Sequence, residues 1–337
     1  MSIETYLAVK ARGLKLRLLP REFYHTMLET PTLEESIKLL SRTEYRLTVE
    51  RGVPSPDEIR CATLRTFINR VEELLIGING AVADFVRSYS LGRVEMELLK
   101  ELIRVLSAGH KYELFPCPNL SSLRVSLRLL STLSSLEDVV QELGRLYDYK
   151  ILVTAYNLYR DIGEEALLEC GLEADYYDHC WNAANKVHAT RRLKELLLID
   201  SSSRWIYWLV LLKTRGIRAK ILNQLLRHMV KGLDEDLFRW GIKSPLEELH
   251  IVIGFISRAL EKAYRSSFPR GFLALERELG KVLYSYASHL LRLRPIDLSY
   301  TLACLLLHYF EANNVYRVLV GKIAEIPPEI IRQTLYL

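Results

Sequence analysis

Apolar side chains recur along this chain at the spacing of a helix. Leu98, Leu102, Val105 and Leu106 stand at positions i, i+4, i+7 and i+8, which is one face of a helix that Gly109 ends. Stretches that alternate apolar and polar residues with a period of two are few, and no hairpin turn separates paired strand-like runs. The pattern therefore predicts an all-α fold.

Polar residues mark where several of these helices begin. Residues 55–58 read Ser-Pro-Asp-Glu, an N-cap followed by a proline at the first helical position and a capping-box glutamate. Residues 244–247 repeat the pattern as Ser-Pro-Leu-Glu, and Thr32 with Glu35 forms a third capping box. Apolar spacing predicts helices in two further stretches, residues 193–199 and 251–260.

Three apolar segments of matched length form a weak internal repeat. They are residues 98–109, 205–216 and 314–325, and Lys322 falls where Lys213 falls. The interval from Gly109 to Gly216 and the interval from Lys213 to Lys322 are nearly equal. Such intervals suggest three homologous helical units, although any all-helical chain can produce this coincidence. The expected units of about 110 residues are 1–112, 113–220 and 221–337, with a proline-containing linker over residues 110–119.

Composition supports packed helical cores. Of the 337 residues, 49% are hydrophobic and 26% are charged, so a disordered chain is excluded because there is ample apolar surface to bury. The 16 glycines and 11 prolines are few, as long helices require. No apolar run reaches the roughly 18 to 20 residues that cross a bilayer. The five irregularly spaced cysteines indicate no disulfide framework, so we expect a soluble cytoplasmic protein.

Motifs for nucleotide, metal or nucleophile chemistry are not found. Neither Gly-Lys pair, at 280–281 or 321–322, has the upstream glycine and the following Ser or Thr of a phosphate-binding loop. No Cys-x-x-Cys or His-x-x-x-His pair supports a zinc site, so packed side chains are favoured for the clustered Cys170, His179, Cys180 and His188. No Gly-x-Ser-x-Gly elbow supplies a nucleophile, and the serines at 201–203 indicate a polar turn.

Positive charge is in mild excess. A net charge of +5 permits nucleic acid, an anionic membrane surface or acidic partners, and selects none of them. The densest basic patches, residues 191–194 and 213–220, suit either a docking surface for an acidic partner or ordinary solvated helix ends. The aromatic cluster at 205–208 fits a core or a protein interface better than a stacking platform for bases.

The C-terminal segment carries a resemblance. Residues 305–337 contain a helix with a tyrosine, then Glu-x-x-Asn-hydrophobic-Arg, then Gly-Lys, a short break and a last helix of Pro-x-x-x-Ile-Arg style. The matching positions are Tyr309, Glu311, Asn314, Val315, Arg317, Gly321, Lys322, Pro327 or Pro328, Ile331 and Arg332. This order resembles the end of the C subunits of the A/V-type rotary ATP synthases, which are relatives of the d subunits of V-ATPases.

The N-terminus is similar to the same family. The matching stretches are residues 6–12, 18–19, 23–24, 37–40 and 43–45. Between the two ends the chain fits by spacing and helical content more than by identity. It departs from the family pattern at Trp205, where asparagine is frequent, at residues 308–310, where lysine is common, and at residues 324–325, where glycine is usual.

The resemblance implies three pseudo-threefold-related helical units arranged as a funnel, with no catalysis, no cofactor and no nucleotide or nucleic-acid binding. It implies one copy per complex on the cytoplasmic face of the cell membrane. That copy would bridge the central shaft subunits and the cytoplasmic loops of the ion-carrying membrane ring. Lys213, Arg317 and Lys322 are expected near helix ends, where they would help dock acidic partner surfaces.

The alternative is a generic helical scaffold or adaptor unrelated to the rotor. The repeats of such scaffolds are about 34 to 47 residues long, which is well short of the interval between Gly109 and Gly216.

Overall fold

The computed structural model describes residues 2–45, 54–110, 117, 122–130, 132–133 and 135–337. Every regular element within these ranges is a helix and none is a strand, so the predicted all-α fold is confirmed. None of the described helices combines the length and the apolar character that a membrane span requires.

The helices vary widely in length, and α5, α16 and α10 are the longest at 27, 26 and 24 residues. In chain order they are α1 (Ile3–Lys15), α2 (Arg21–Glu29), α3 (Leu33–Leu40), α4 (Pro56–Leu75), α5 (Ala81–Ser107), α6 (Leu127–Leu130), α7 (Leu136–Tyr147), α8 (Lys150–Ile162), α9 (Ala166–Ala184), α10 (Arg191–Thr214), α11 (Ala219–Leu226), α12 (Glu235–Lys243), α13 (Leu249–Ile256), α14 (Arg258–Ser267), α15 (Phe272–Leu293), α16 (Leu298–Ile323) and α17 (Pro328–Thr334). Short 3-10 turns precede α13 and α15.

The chain divides into two compact units. Unit 1 contains Met1–Asn79, Phe115–Ser122 and Tyr284–Leu337, and unit 2 contains Gly80–Leu114 and Leu123–Leu283. The predicted linker over residues 110–119 lies mostly outside the described residues. The division into three units at residues 112 and 220 stays a prediction.

In unit 1, α4 packs against α16, and α1 also packs along α16. The predicted capping box starts α4: the Ser55 hydroxyl accepts from the N–H of Glu58, and the Glu58 carboxylate accepts from the N–H of Ser55. The inner face of α1 buries Leu7 and Leu14. Each fully buried leucine contributes about 1.5–3 kcal/mol, so apolar burial is what holds α1 in place.

In unit 2, α8 and α9 approach closely at Gly171. A Cβ at Gly171 would lie 2.5 Å from the Cβ of Ala155 and 3.2 Å from the carbonyl oxygen of Ile151, so glycine is what allows this spacing. Asp175, one turn further along α9, accepts from the N–H groups of Ile151 and Leu152 and so satisfies free donors in the first turn of α8. Burial raises the pKa of Asp175 to about 7, although these two N–H groups act in the opposite direction.

Three predicted local features are wrong. Ser244 does not cap a following helix; it is the C-cap of α12, and its hydroxyl donates to the carbonyl of Trp240. The serines at 201–203 form no turn but lie buried within α10, where Ser203 donates to the carbonyl of Ile199. The helix predicted over 251–260 breaks at Ser257, which ends α13 and caps α14. At Ser244, Ser203 and Ser257 the hydroxyl forms a hydrogen bond with a backbone group that sequence spacing did not identify.

The expectation of no disulfide is wrong for one pair of cysteines. Cys61 in α4 and Cys117 are joined by a disulfide, with their Cα atoms 5.3 Å apart and a sequence separation of 56. Irregular spacing could not reveal this pair because tertiary folding decides which thiols meet. Cys170, Cys180 and Cys304 are free and buried.

Candidate partner-contact residues

The three longest helices end with the same backbone geometry. α5, α10 and α16 are each followed by a residue with positive φ, namely Gly109 at 74°, Gly216 at 75° and Glu325 at 52°. In each case the next residue donates its N–H to a carbonyl from the last turn of the helix. This Schellman arrangement satisfies carbonyls that a helix end leaves free. The three repeat segments are therefore helix ends of one kind, and Glu325 adopts the conformation without glycine.

Lys213 lies in the last turn of α10, and its ammonium group donates to two backbone carbonyls. These belong to Gly241, at 3.0 Å, and to Ser244, the C-cap of the nine-residue helix α12. Burial lowers the pKa of Lys213. A cation on the free carbonyls of a helix end satisfies them as acceptors and complements the negative end of the helix dipole.

Lys322 makes the matching contact at the end of α16. Its ammonium group donates to the carbonyl of Thr30, the C-cap of α2, which also has nine residues. The two C-cap residues have nearly equal backbone angles: φ −60° and ψ 134° at Thr30, and φ −61° and ψ 140° at Ser244. Burial lowers the pKa of Lys322, with Glu35 acting in the opposite direction. Lys213 and Lys322 thus occupy equivalent positions on equivalent helix ends.

Arg317 binds the last residues of the chain. Its guanidinium donates to the carbonyl of Thr334 and lies 4.5 Å from the ring centroid of Tyr336. Asn314, nearby on α16, pairs with the backbone of Tyr336 through an amide contact in each direction, at 2.7 and 2.9 Å. Two side chains from the family-like segment therefore hold the C-terminus against α16.

The structure brings two of the three predicted contact residues together. Arg317 and Lys322 share α16 in unit 1, whereas Lys213 belongs to unit 2. Each cationic group donates to a backbone carbonyl of its own unit. Their proposed role in docking acidic partners stays a prediction.

A network of buried charges lies at the centre of unit 1. Arg70 of α4 donates to one carboxylate oxygen of Glu311 at 2.6 Å, and the Tyr45 hydroxyl donates to the same oxygen at 3.0 Å. The other oxygen of Glu311 accepts from the N–H of Leu19. Arg70 and Glu311 are 1% and 3% exposed. At such burial an ion pair is tolerated only when hydrogen bonds satisfy it, and here they do.

His308 is neutral in this network. Arg70 can only donate, so Nδ1 of His308, 2.7 Å from the guanidinium, accepts, and Nε2 donates to the carbonyl of Leu14 at 3.2 Å. Burial lowers the pKa of His308, which agrees with the neutral ring. Burial alone would raise the pKa of Glu311, but the Arg70 charge and the N–H of Leu19 act in the opposite direction, and the pKa is lowered.

Unit 2 contains a related buried carboxylate, Glu95 of α5. One of its oxygens accepts from the Tyr149 hydroxyl at 2.6 Å, and the other accepts from the N–H of Val125 at 2.9 Å. Glu95 precedes Gly109 by the same sequence distance at which Glu311 precedes Glu325. The repeat therefore extends from the helix ends to a buried acidic position.

A second buried ion cluster in unit 2 joins α5, α9, α10 and α15. Glu173 accepts from Lys100 and from Nε and one Nη of Arg204, and the other Nη of Arg204 donates to Glu276 at 2.7 Å. Burial would raise the pKa of Glu173, but Arg204 and Lys100 lower it to about 2. Each charge is paired, so the cluster fixes these helices relative to one another.

Comparison of the sequence with models of known protein families shows which family the chain belongs to. A family model described as "ATP synthase (C/AC39) subunit" matches residues 7–334, nearly the whole chain. The chain belongs to this family. The predicted resemblance to the C subunits of A/V-type ATP synthases and the d subunits of V-ATPases is confirmed, and membership implies a component of a rotary ATP synthase complex. No curated protein sequence matches the chain.

Other chemistry-bearing residues of this ATP synthase component are mostly buried. Cys170 and Cys180 are free thiols in α9, and burial raises the pKa of both. Burial, followed by the Arg124 charge, lowers the pKa of His179 to about 4. Among the residues that the structure describes, no group of three or more His, Cys, Asp or Glu side chains could hold a metal ion. The buried Cys170 and Cys180 contribute to the packing of α9.

The departure from the family pattern at Trp205 has a local explanation. Trp205 stands in the second repeat segment where Asn314 stands in the third, and it is fully buried against Gly241. A Cβ at position 241 would lie 2.5 Å from the Trp205 ring, so the glycine makes room for the indole. Trp208 is buried as well, so of the two roles expected for this aromatic cluster, a core or a protein interface, core packing applies to Trp205 and Trp208.

Sequence reasoning missed the buried network of unit 1. Tyr45 and Glu311 both fell in family-like stretches, but nothing in the sequence joins them to Arg70 or His308. A helical arginine is ordinarily assigned to solvent, and only its tertiary neighbours show that Arg70 is buried. The available signal was Glu311 itself, an acidic residue inside the apolar run that forms α16.

Proposed function

We propose that this chain is a non-catalytic subunit of the central stalk, which couples the rotor shaft to the membrane ion-carrying ring during ATP synthesis or hydrolysis. The observation that carries the proposal is the match of the C/AC39 family model to residues 7–334.

Buried ion pairs join the helices firmly, which suits a subunit that must transmit torque. A protein that passes torque must transmit strain without yielding, and close-packed interiors do so. The Arg70 network and the Glu173 cluster each tie several helices together through buried, fully paired charges. Pulling such a cluster apart would leave charges buried and unpaired, which is costly.

The finer parts of the proposal concern partners and location. One copy would sit peripherally at the cytoplasmic face of the membrane, between the shaft subunits and the ring loops, without binding nucleotide or nucleic acid. Lys213, Arg317 and Lys322 would lie near the partner surfaces, where the exposed part of each side chain could meet acidic groups.

Native mass spectrometry tests the proposal. The chain is mixed with the shaft subunits and the detergent-solubilised ring from the same source. A complex that contains one copy of this chain together with both partners supports the rotor role. Binding to neither partner would contradict it and favour the scaffold alternative, which an unbiased pull-down would then examine.

A further inference from the structure

Two corners of the molecule share one backbone design. In unit 2 the end of α10, the start of α11 and the end of α12 meet, with Lys213 on the carbonyl of Ser244. In unit 1 the end of α16, the start of α17 and the end of α2 meet, with Lys322 on the carbonyl of Thr30. The starts of α11 and α17 are as far apart in sequence as the two lysines are.

The corner in unit 2 is strongly basic. Four exposed cations stand on these three helix ends and are here named the basic corner: Arg215, Arg218, Lys220 and Lys243. Within the described structure, none of the four makes an ion pair or a side-chain hydrogen bond. Two exposed carboxylates, Glu247 and Glu248, follow on the next turn, so cations still outnumber anions at this corner.

The corner in unit 1 has the opposite charge on the same framework. Its acidic corner consists of the exposed residues Glu29, Glu325 and Glu329. Glu29 and Glu329 stand where Lys243 and Lys220 stand in unit 2, and the positions that match Arg215 and Arg218 are uncharged. One backbone therefore folds with either charge, so the fold does not require the cations.

Like charges placed together repel one another, and a free chain gains nothing from keeping four of them unpaired. We propose that the basic corner docks an acidic segment of a neighbouring protein subunit in the rotary complex. The inference rests on the proposed rotor function and names the surface and the partner chemistry for it. Complementary charge at such a joint selects the partner and its orientation.

A protein segment fits this corner better than a lipid surface or a nucleic acid. Ile217, the apolar residue within the run from Arg215 to Lys220, is buried, so this run offers no apolar side chain to a bilayer interface. The exposed Trp240, one turn before Lys243, packs its ring against Phe255. The cations occupy helix ends at a single corner rather than a groove that follows a phosphate backbone.

The test uses the full chain and two charge-reversed variants. In the first, all four residues of the basic corner are replaced by glutamate: R215E, R218E, K220E and K243E. In the matched control, the acidic corner is reversed: E29K, E325K and E329K. Binding of each chain to the shaft subunits and to the solubilised ring is measured separately at low and high salt. Vesicles of equal parts phosphatidylcholine and phosphatidylglycerol, and a single-stranded RNA, serve as further probes.

We expect the wild-type chain to bind one of the two subunit preparations, and the basic-corner variant to bind it roughly tenfold or more weakly with a smaller salt dependence. The acidic-corner variant should bind no more weakly than the wild-type chain. If the wild-type chain binds a subunit preparation and the basic-corner variant binds it equally well, the inference is overturned, but the proposed rotor function is not. A loss confined to vesicles or RNA would also overturn the inference, and wild-type binding to neither preparation would instead reject the proposed function.

Discussion

Glu95 in unit 2 and Glu311 in unit 1 are buried carboxylates built on one pattern but with different charge partners. Each accepts from a tyrosine hydroxyl and from a backbone N–H. Glu311 also has the fully buried Arg70 at 2.6 Å, whereas Glu95 pairs with Arg124, which lies 3.8 Å away and is 48% exposed. The contacts that both sites share, to a tyrosine hydroxyl and a backbone N–H, hold a long helix against its neighbours. In unit 1, Arg70 adds a buried ion pair.

The third long helix extends the comparison. Ser202 stands before Gly216 at the same sequence distance as Glu95 before Gly109 and Glu311 before Glu325. Ser202 is fully buried, and its hydroxyl has no hydrogen-bond partner among the described residues. A buried position in this repeat can therefore carry a paired charge, a hydrogen-bonded carboxylate or a small hydroxyl, so the helix framework does not depend on one side chain.

The largest effect is expected when Arg70 is replaced. Arg70→Met leaves Glu311 buried without its cation, and breaking a buried pair in this way costs about 3–5 kcal/mol. Urea unfolding of the isolated chain, followed by far-UV circular dichroism, measures the loss. Arg239→Met is the matched control because its ion pair with Glu235 is exposed, and we expect a change below about 0.5 kcal/mol. Equal effects of the two substitutions would contradict the importance of the buried pair.

A smaller loss is expected at the related site in unit 2. Glu95→Gln keeps the shape of the side chain and one acceptor oxygen, so we expect a cost of about 1–2 kcal/mol. Tryptophan fluorescence during unfolding reports on this unit because it contains all four tryptophans: Trp181, Trp205, Trp208 and Trp240. If Glu95→Gln lowers the free energy of unfolding as much as Arg70→Met does, the difference that we infer between Glu95 and Glu311 from their charge partners would be contradicted.

Replacing either of the two lysines that cap helix ends should lower the free energy of unfolding by a still smaller amount, which should be about equal for the two. Lys213→Met and Lys322→Met each remove a cation from the carbonyl of a C-cap residue, worth about 0.5–1.5 kcal/mol. Urea unfolding of both variants measures the cost, with the exposed Lys220→Met as control. Unchanged stability in both would remove the structural role and leave docking as the reason for these lysines.

The smallest effect is a difference in pH dependence. His308 has a pKa below its unfolded value, so the unfolded chain binds more protons below about pH 6.5. The stabilisation it gives is present above that pH and is lost as the pH falls. Unfolding free energies at pH 7 and pH 5 should therefore differ less in His308→Gln than in the wild type. Equal differences in both proteins would mean that His308 is not held neutral.

Local sequence pattern predicted most of the helices, but it could not predict partners that are distant in sequence. The capping box at Ser55 and the end of α5 at Gly109 could be predicted because only near neighbours in sequence decide them. The disulfide between Cys61 and Cys117 and the pairing of Arg70 with Glu311 could not be predicted. These partners have sequence separations of 56 and 241, and the fold alone brings them together.

The candidate site could be predicted only in part for the same reason. Residues 213–220 were identified as a basic run, but Lys213 donates to carbonyls of the chain, whereas Arg215, Arg218 and Lys220 are exposed. Charge along a sequence does not show which cations satisfy the fold and which face a partner, because that depends on the carbonyls within reach.

Coupling between ATP turnover and ion movement is the most direct measurement of the proposed role. The rotary complex from the same source is reconstituted in sealed vesicles with and without this chain, and ATP hydrolysis and ion uptake are recorded together. If the chain couples shaft to ring, ion uptake should accompany hydrolysis only when the chain is present, and adding it back should restore uptake. Ion uptake per ATP that stays the same without the chain would contradict the coupling role.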